Sequence, residues 1–200
     1  KDDEEFQQYL MQSAMDGAAI VATSGGTLAG AELITLSKEY LAVRTAITRL
    51  RRRYEPAVLW ALAEAGPLVG GARASPAATT TLVEALTRQL AAAEGRAITK
   101  HSVRVDDGEN EDGWALVIES ERHGQYRGTR LESRFFDSSE YRAIAALGDE
   151  MRHRAGENPT VRRGDRETQV SDFAGALDWL LAEARRGVTI QRYKGLGEMD

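Results

Sequence analysis

Residues 32–54 read ELITLSKEYLAVRTAITRLRRRY, and the spacing of their apolar side chains decides the fold. Leu33, Leu36, Tyr40, Val43, Ile47, Leu50 and Tyr54 recur at alternating steps of three and four, which gathers them on one face of an α-helix. A heptad-like stripe of this length needs a partner helix to cover it. Downstream, Pro56 suits the first turn of a second helix, residues 57–65 (AVLWALAEA) continue it, and Gly66-Pro67 stops it. A third helix is expected from Pro76 to about Glu94, capped by Ser75, with Leu82, Leu86 and Leu90 on one face. Upstream, Ser24-Gly25-Gly26 reads as a loop. The first half of the chain is therefore a helical hairpin or small bundle built around one long helix.

The middle changes period. Residues 98–105 alternate in part, residues 114–120 (WALVIES) are rich in strand formers behind Gly113, and residues 125–136 alternate again after His123-Gly124. Three short strands with polar, glycine-containing connections predict an antiparallel meander. Asp137 is then placed to cap a helix, with Glu140 completing a D-x-x-E box and Tyr141, Ile144, Leu147 and Met151 as its apolar face. A loop rich in Arg, Gly, Asn and Pro follows. Ser171 caps a last helix that buries Phe173, Leu177, Leu180 and Leu181 and stops at Gly187. Residues 188–193 read as a strand and 194–198 as a tight glycine turn. The expected class is α+β: the long heptad-like helix and helical hairpin, then a short antiparallel sheet flanked by helices. The expected division is 1–95 mainly helical, 96–187 α+β, and 188–200 a strand and glycine turn.

Composition bounds the function. Hydrophobic residues make up 42% and charged residues 28%, with four prolines, as in an ordinary globular chain. No apolar run is long enough for a bilayer-spanning helix, and the opening KDDEEF lacks the basic-then-apolar pattern of a secretory signal. Zero cysteines exclude disulfides and thiolate metal sites and fit a reducing cytoplasm. A net charge of −5 argues against a protein that coats nucleic acid over its whole surface. The charge is uneven, however. Arg44, Arg49, Arg51, Arg52 and Arg53 cluster, as do Arg152, Arg154, Arg162, Arg163 and Arg166, and Asp106, Asp107, Glu109, Glu111 and Asp112 lie between. A chain polarised in this way can still bind a phosphate backbone with one face.

No reading of the spacing yields catalytic chemistry. Laid on a calcium-binding EF-hand loop, the acidic stretch puts Gly108 where the first carboxylate is required and Glu119 in an apparent strand, so a solvated loop is the better account. His101, His123 and His153 are scattered, with no i, i+4 pair to hold zinc. No Ser-His-Asp constellation emerges. Trp60, Trp114 and Trp179 sit in apolar contexts and read as core. What remains is cationic: Arg49, Arg51, Arg52 and Arg53 at one helix end, Arg185 and Arg186 at another, and Arg192 and Lys194 beyond it, all candidates for phosphate contact. The competing account for helix-end arginines is the macrodipole, which favours cations at a C-terminus.

The segment IQRYKGLGEM, residues 190–199, is a glycine turn by pattern alone; as a string it is more specific. It resembles the signature near the end of the TOPRIM region (the metal-binding cleavage domain) of the B subunits of type IIA bacterial topoisomerases. ALDWLLAEARRGVTIQRYKGLGEM, residues 176–199, resembles gyrase B in particular. Residues 136–147 (FDSSEYRAIAAL), the opening KDDEE with Asp16-Gly17-Ala18, and the helix ending in RRRYEPAVL are similar to the long insertion of Gram-negative gyrases within that region. The resemblance covers nearly the whole chain, closely at residues 1–18 and 136–199 and loosely at 66–133. Asp200 departs from the family, which commonly reads Asn followed by Pro.

The resemblance implies that the chain is an internal piece of such a subunit, with residues 188–200 rejoining the TOPRIM host domain and its two ends close together. Tyr193, Gly195, Leu196, Gly197 and Glu198 would be the motif residues, with no catalytic role. The family's metal-binding glutamate, its D-x-D pair and its ATP-binding motifs have no match here, and its strand-breaking tyrosine lies in the A subunit. ATP and Mg2+ are therefore implied for the parent and neither for this piece. The resemblance implies that the parent introduces negative supercoils into DNA. The implied partners are duplex DNA, the gyrase A subunit and other gyrase B domains, with no membrane, in the bacterial cytoplasm at the nucleoid. Three hypotheses compete: an architectural and DNA-positioning module, an autonomous duplex-DNA-binding domain, and a metal-dependent enzyme, which would require the acidic loop to bind a divalent ion.

Overall fold

The structure, a computed structural model, describes residues 2–94, 99–108 and 113–197. In chain order the elements are α1 (Asp2–Met15), β1 (Ala18–Val21), β2 (Thr27–Ala29), α2 (Gly30–Leu50), α3 (Pro56–Ala65), α4 (Pro76–Glu94), β3 (Thr99–Asp107), β4 (Trp114–Arg122), β5 (Gln125–Glu132), α5 (Ser139–Arg154), β6 (Thr160–Arg163), β7 (Arg166–Gln169) and α6 (Phe173–Gly197). Two antiparallel sheets and six helices among the described residues make this an α+β protein, as expected. The chain forms two compact units, Lys1–Glu39 with Met151–Asp200, and Tyr40–Glu150. Their boundaries fall inside α2 and α5 and cut across the expected 1–95 and 96–187 segments.

The first unit is built on a four-stranded sheet of order β2-β1-β6-β7. β1 lies inside because it is the most apolar strand: Ile20 faces Leu28 on one side and Val161 on the other, and all three are buried. The chain reverses between β1 and β2 at the expected Ser24-Gly25-Gly26 loop, where Gly25 takes a left-handed φ of 95°. α1 packs on β1 and α6 on β6, and these first and last helices pack on each other. Leu10, Ala14, Phe173, Leu177 and Leu180 are buried in this unit.

Three expectations are corrected here. The loop expected before the last helix contains the hairpin β6–β7, whose strands are too short to display alternation and carry three arginines. The cap of α6 is Asp172, whose Oδ1 accepts the Gly175 N–H at 2.8 Å; Ser171 instead offers its carbonyl to Asn158. Nor does the helix stop at Gly187. It runs on to Gly197, so the expected strand at 188–193 is helical, as is the described part of the glycine turn. One glycine inside a helix costs only about 1 kcal/mol, which an established helix tolerates. Glu198 lies outside the described residues.

The second unit carries the expected meander, in order β3-β4-β5. Its inner face presents Leu116 and Ile118 of β4 with Thr129 and Leu131 of β5, all buried. α4 packs on β3 and α3 on α4, and Ser75 caps α4 through its Oγ to the Ala78 N–H. Tyr40 stacks on Trp60 of α3 at 5.3 Å, and Tyr54, Phe135, Phe136, Tyr141 and Trp114 form a connected aromatic cluster. The α2 stripe is buried except for half-buried Leu50. It serves both cores, Leu33 and Leu36 in the first and Tyr40, Val43 and Ile47 in the second, where a single partner helix was expected. The cap of α5 also differs: Ser138 Oγ accepts the Tyr141 N–H, while Asp137 accepts the Ala72 N–H and pins the preceding glycine loop.

Candidate nucleic-acid interface

Between Tyr40 and Arg53 the chain carries five arginines and no acidic residue, within a protein of net charge −5. α2 ends at Leu50, so Arg49 lies in its last turn and Arg51, Arg52 and Arg53 in the turn that leaves it; all four are exposed. Arg44 lies over the Tyr40 ring and Arg53 over the Tyr54 ring, at 5.9 and 5.3 Å, contacts that steady the guanidinium groups and leave their charge in place.

The macrodipole account leaves these side chains unused. The Thr48 and Leu50 carbonyls at the helix end already accept backbone N–H groups of Arg51, Arg53 and Tyr54. The Arg51 carbonyl accepts Nη2 of Arg127, on β5, at 3.1 Å. Among the described residues Arg49, Arg51, Arg52 and Arg53 make no ion pair. By contrast, Arg130 on the outer face of the β3-β4-β5 sheet is paired with both Asp106 and Glu132. Its guanidinium holds the Asp106 carboxyl below the usual carboxylate range, chiefly through their hydrogen bond.

The turn is fastened to the sheet. Glu55 donates its backbone N–H to Thr129 Oγ1 at 3.3 Å, accepts the Ser120 hydroxyl at Oε2 at 2.9 Å, and meets His101 Nε2 at 3.7 Å. The sole acid of residues 40–63 is thus engaged by the sheet. Neither Glu55 nor Arg127 stands out in the sequence. Arg127 lies alone in an alternating strand, and its tie to the turn becomes visible only with the register of β4 and β5. Beside the turn lies an open cleft whose lining charges balance, Arg53 and Arg134 against Glu132 and Glu140.

The other candidates belong to the first unit. Arg185, Arg186, Arg192 and Lys194 are exposed along α6. Because that helix continues to Gly197, Arg185 and Arg186 are interior positions, and the helix-end account no longer applies to them. Arg186 is paired with Glu183 at 3.6 Å. Tyr193 is 73% exposed, which removes it from any core, and Gly195, Leu196 and Gly197 lie on the helix with it. Trp60, Trp114 and Trp179 are half-buried, and Trp114 donates its indole N–H to the Ala72 carbonyl. Most of the acidic loop considered for calcium, residues 109–112, lies outside the described residues. Among the described residues no three His, Asp or Glu side chains come together as a metal site. No helix among the described residues is long and apolar enough to cross a membrane.

Comparison with known proteins converges on one family. The family model for the DNA gyrase B subunit insert domain matches residues 18–184. The DNA gyrase B subunits of two strains of Caulobacter vibrioides are each 29% identical to it over 200 residues, covering 100% of this chain. The chain spans 23% of the length of those relatives. With most of its length matched by that model, the chain belongs to the DNA gyrase B subunit insert domain family.

Proposed function

We propose that this chain is an architectural and DNA-positioning module of a gyrase B subunit, set within its TOPRIM region and non-catalytic by itself. In this reading ATP hydrolysis, Mg2+ and strand cleavage belong to other parts of the holoenzyme, whose reaction is ATP-dependent negative supercoiling of DNA. The module buttresses the subunit, touches the A subunit or other B domains, and holds duplex DNA by its phosphates. One observation carries the DNA contact: an exposed arginine turn, free of acids from Tyr40 to Arg53, whose Thr48 and Leu50 carbonyls already accept backbone N–H groups and whose backbone is tied to a sheet. A turn whose backbone is fixed in this way presents its guanidinium groups to phosphates without the cost of ordering the backbone. They carry no base-specific information, so binding should be independent of sequence and steeply salt-dependent.

The test is titration of a fluorescent duplex with the chain across a salt series. Binding at low salt that weakens steeply as salt rises is the expected result. No binding at low salt would overturn the DNA-positioning part and leave the buttress, for which association with the gyrase A subunit is the next measurement.

A further inference from the structure

The hairpin of β4 and β5 brings two more arginines beside the turn. In the β4–β5 register Ser120 faces Arg127 and Arg122 faces Gln125, which sets Arg122 and Arg127 diagonally on one face of the sheet. It is the same face that carries Ser120 and Thr129, the residues that hold Glu55. Both arginines are exposed, and neither makes an ion pair among the described residues. Diagonal neighbours lie roughly 7–8 Å apart, close enough for like charges to oppose one another. The opposite face of the same sheet carries Glu119, Glu121, Glu132 and Asp106, and there Arg130 is neutralised. Acids thus gather around Arg130 on that face; on the arginine face Glu55 is engaged by Ser120 and Thr129, Asp107 lies at the far end of β3, and Arg127 grips the Arg51 carbonyl.

We propose that the arginine turn after α2 and the Arg122–Arg127 edge of the hairpin form one preformed surface for the phosphates of duplex DNA, with Glu55 as its positioning residue. This inference rests on the DNA-contact reading above and extends it to a second element. Arg122 is a direct phosphate contact. Arg127 contributes charge and fixes the turn through the Arg51 carbonyl. Glu55 clamps the turn to Ser120 and Thr129.

The experiment is a salt-series titration of a fluorescent duplex with the 200-residue chain and its variants, each first shown to be folded by its thermal transition. R122A should bind more weakly and lower the slope of log K against log salt by about 0.9, one phosphate contact. E55Q gives the sharper result. Removing an acid beside a basic surface tightens DNA binding if charge alone acts; a positioning role predicts several-fold weaker binding with the wild-type slope. Tighter binding by E55Q, or an unchanged slope for R122A, overturns the inference. The two levels fail separately. If R49A/R51A/R52A/R53A binds as the wild type does, the DNA-contact reading itself falls. If that variant loses affinity while R122A does not, only the hairpin's part falls.

Discussion

Gly148 and Tyr141 show how closely single positions hold the second unit together. A Cβ at Gly148 of α5 would lie 1.8 Å from the Ala63 carbonyl oxygen of α3, a contact only backbone displacement relieves. G148A should therefore cost about 3 kcal/mol or more and lower the urea midpoint, although alanine is the better helix former. A midpoint equal to the wild type would show that the two helices are not so closely apposed. The Tyr141 hydroxyl accepts the Leu68 N–H at 2.9 Å, and Y141F should cost about 1 kcal/mol at neutral pH. Burial pushes the Tyr141 hydroxyl above its ordinary value of 10.0, against the smaller opposing effect of that hydrogen bond. Below pH 10 both folded and unfolded forms keep the proton and the group adds no pH dependence. Above it the unfolded chain ionises first, so stability falls as pH rises through the folded value. Phenylalanine lacks this loss, and the stability gap between Y141F and wild type should narrow above pH 10 in denaturant titrations; a constant gap would contradict the burial.

Element starts give a sharper comparison between what the sequence implies and what the fold uses. S138A should destabilise the protein by about 1 kcal/mol through loss of the α5 cap, while E140A, expected from the D-x-x-E pattern to matter, should cost under about 0.5 kcal/mol. Equal costs in thermal unfolding would restore the pattern-based cap. The helices α2 to α5 and the meander are legible because each repeats its period long enough for burial to impose it. The strands β1, β2, β6 and β7, of three or four residues, are too short for that. The end of α6 escapes the sequence for a different reason: Val188, Thr189 and Ile190 favour strands locally, and Gly187 favours a stop, yet the helix already established by Phe173, Leu177 and Leu180 extends through them. The arginine turn is visible as a charge run. Its anchors are not, since Glu55, Ser120, Thr129 and Arg127 are brought together only by strand pairing.

At the scale of the molecule, each unit carries exposed cationic residues, on the α2 turn with its hairpin in Tyr40–Glu150 and on the far part of α6 in the other. They differ in preparation. The α2 turn is tied down by tertiary hydrogen bonds, whereas on α6 Arg186 is partly neutralised by Glu183. An overall charge of −5 leaves long-range attraction to DNA weak, so affinity must come from local, fixed cations. The most direct test compares the salt dependence of duplex binding for wild type, R49A/R51A/R52A/R53A, and R185A/R192A/K194A. The account predicts that the first variant loses most of the affinity and up to about 3.6 units of slope, about 0.9 for each arginine removed, while the second stays close to wild type. A wild-type slope for the first variant, with the loss confined to the α6 variant, would contradict it.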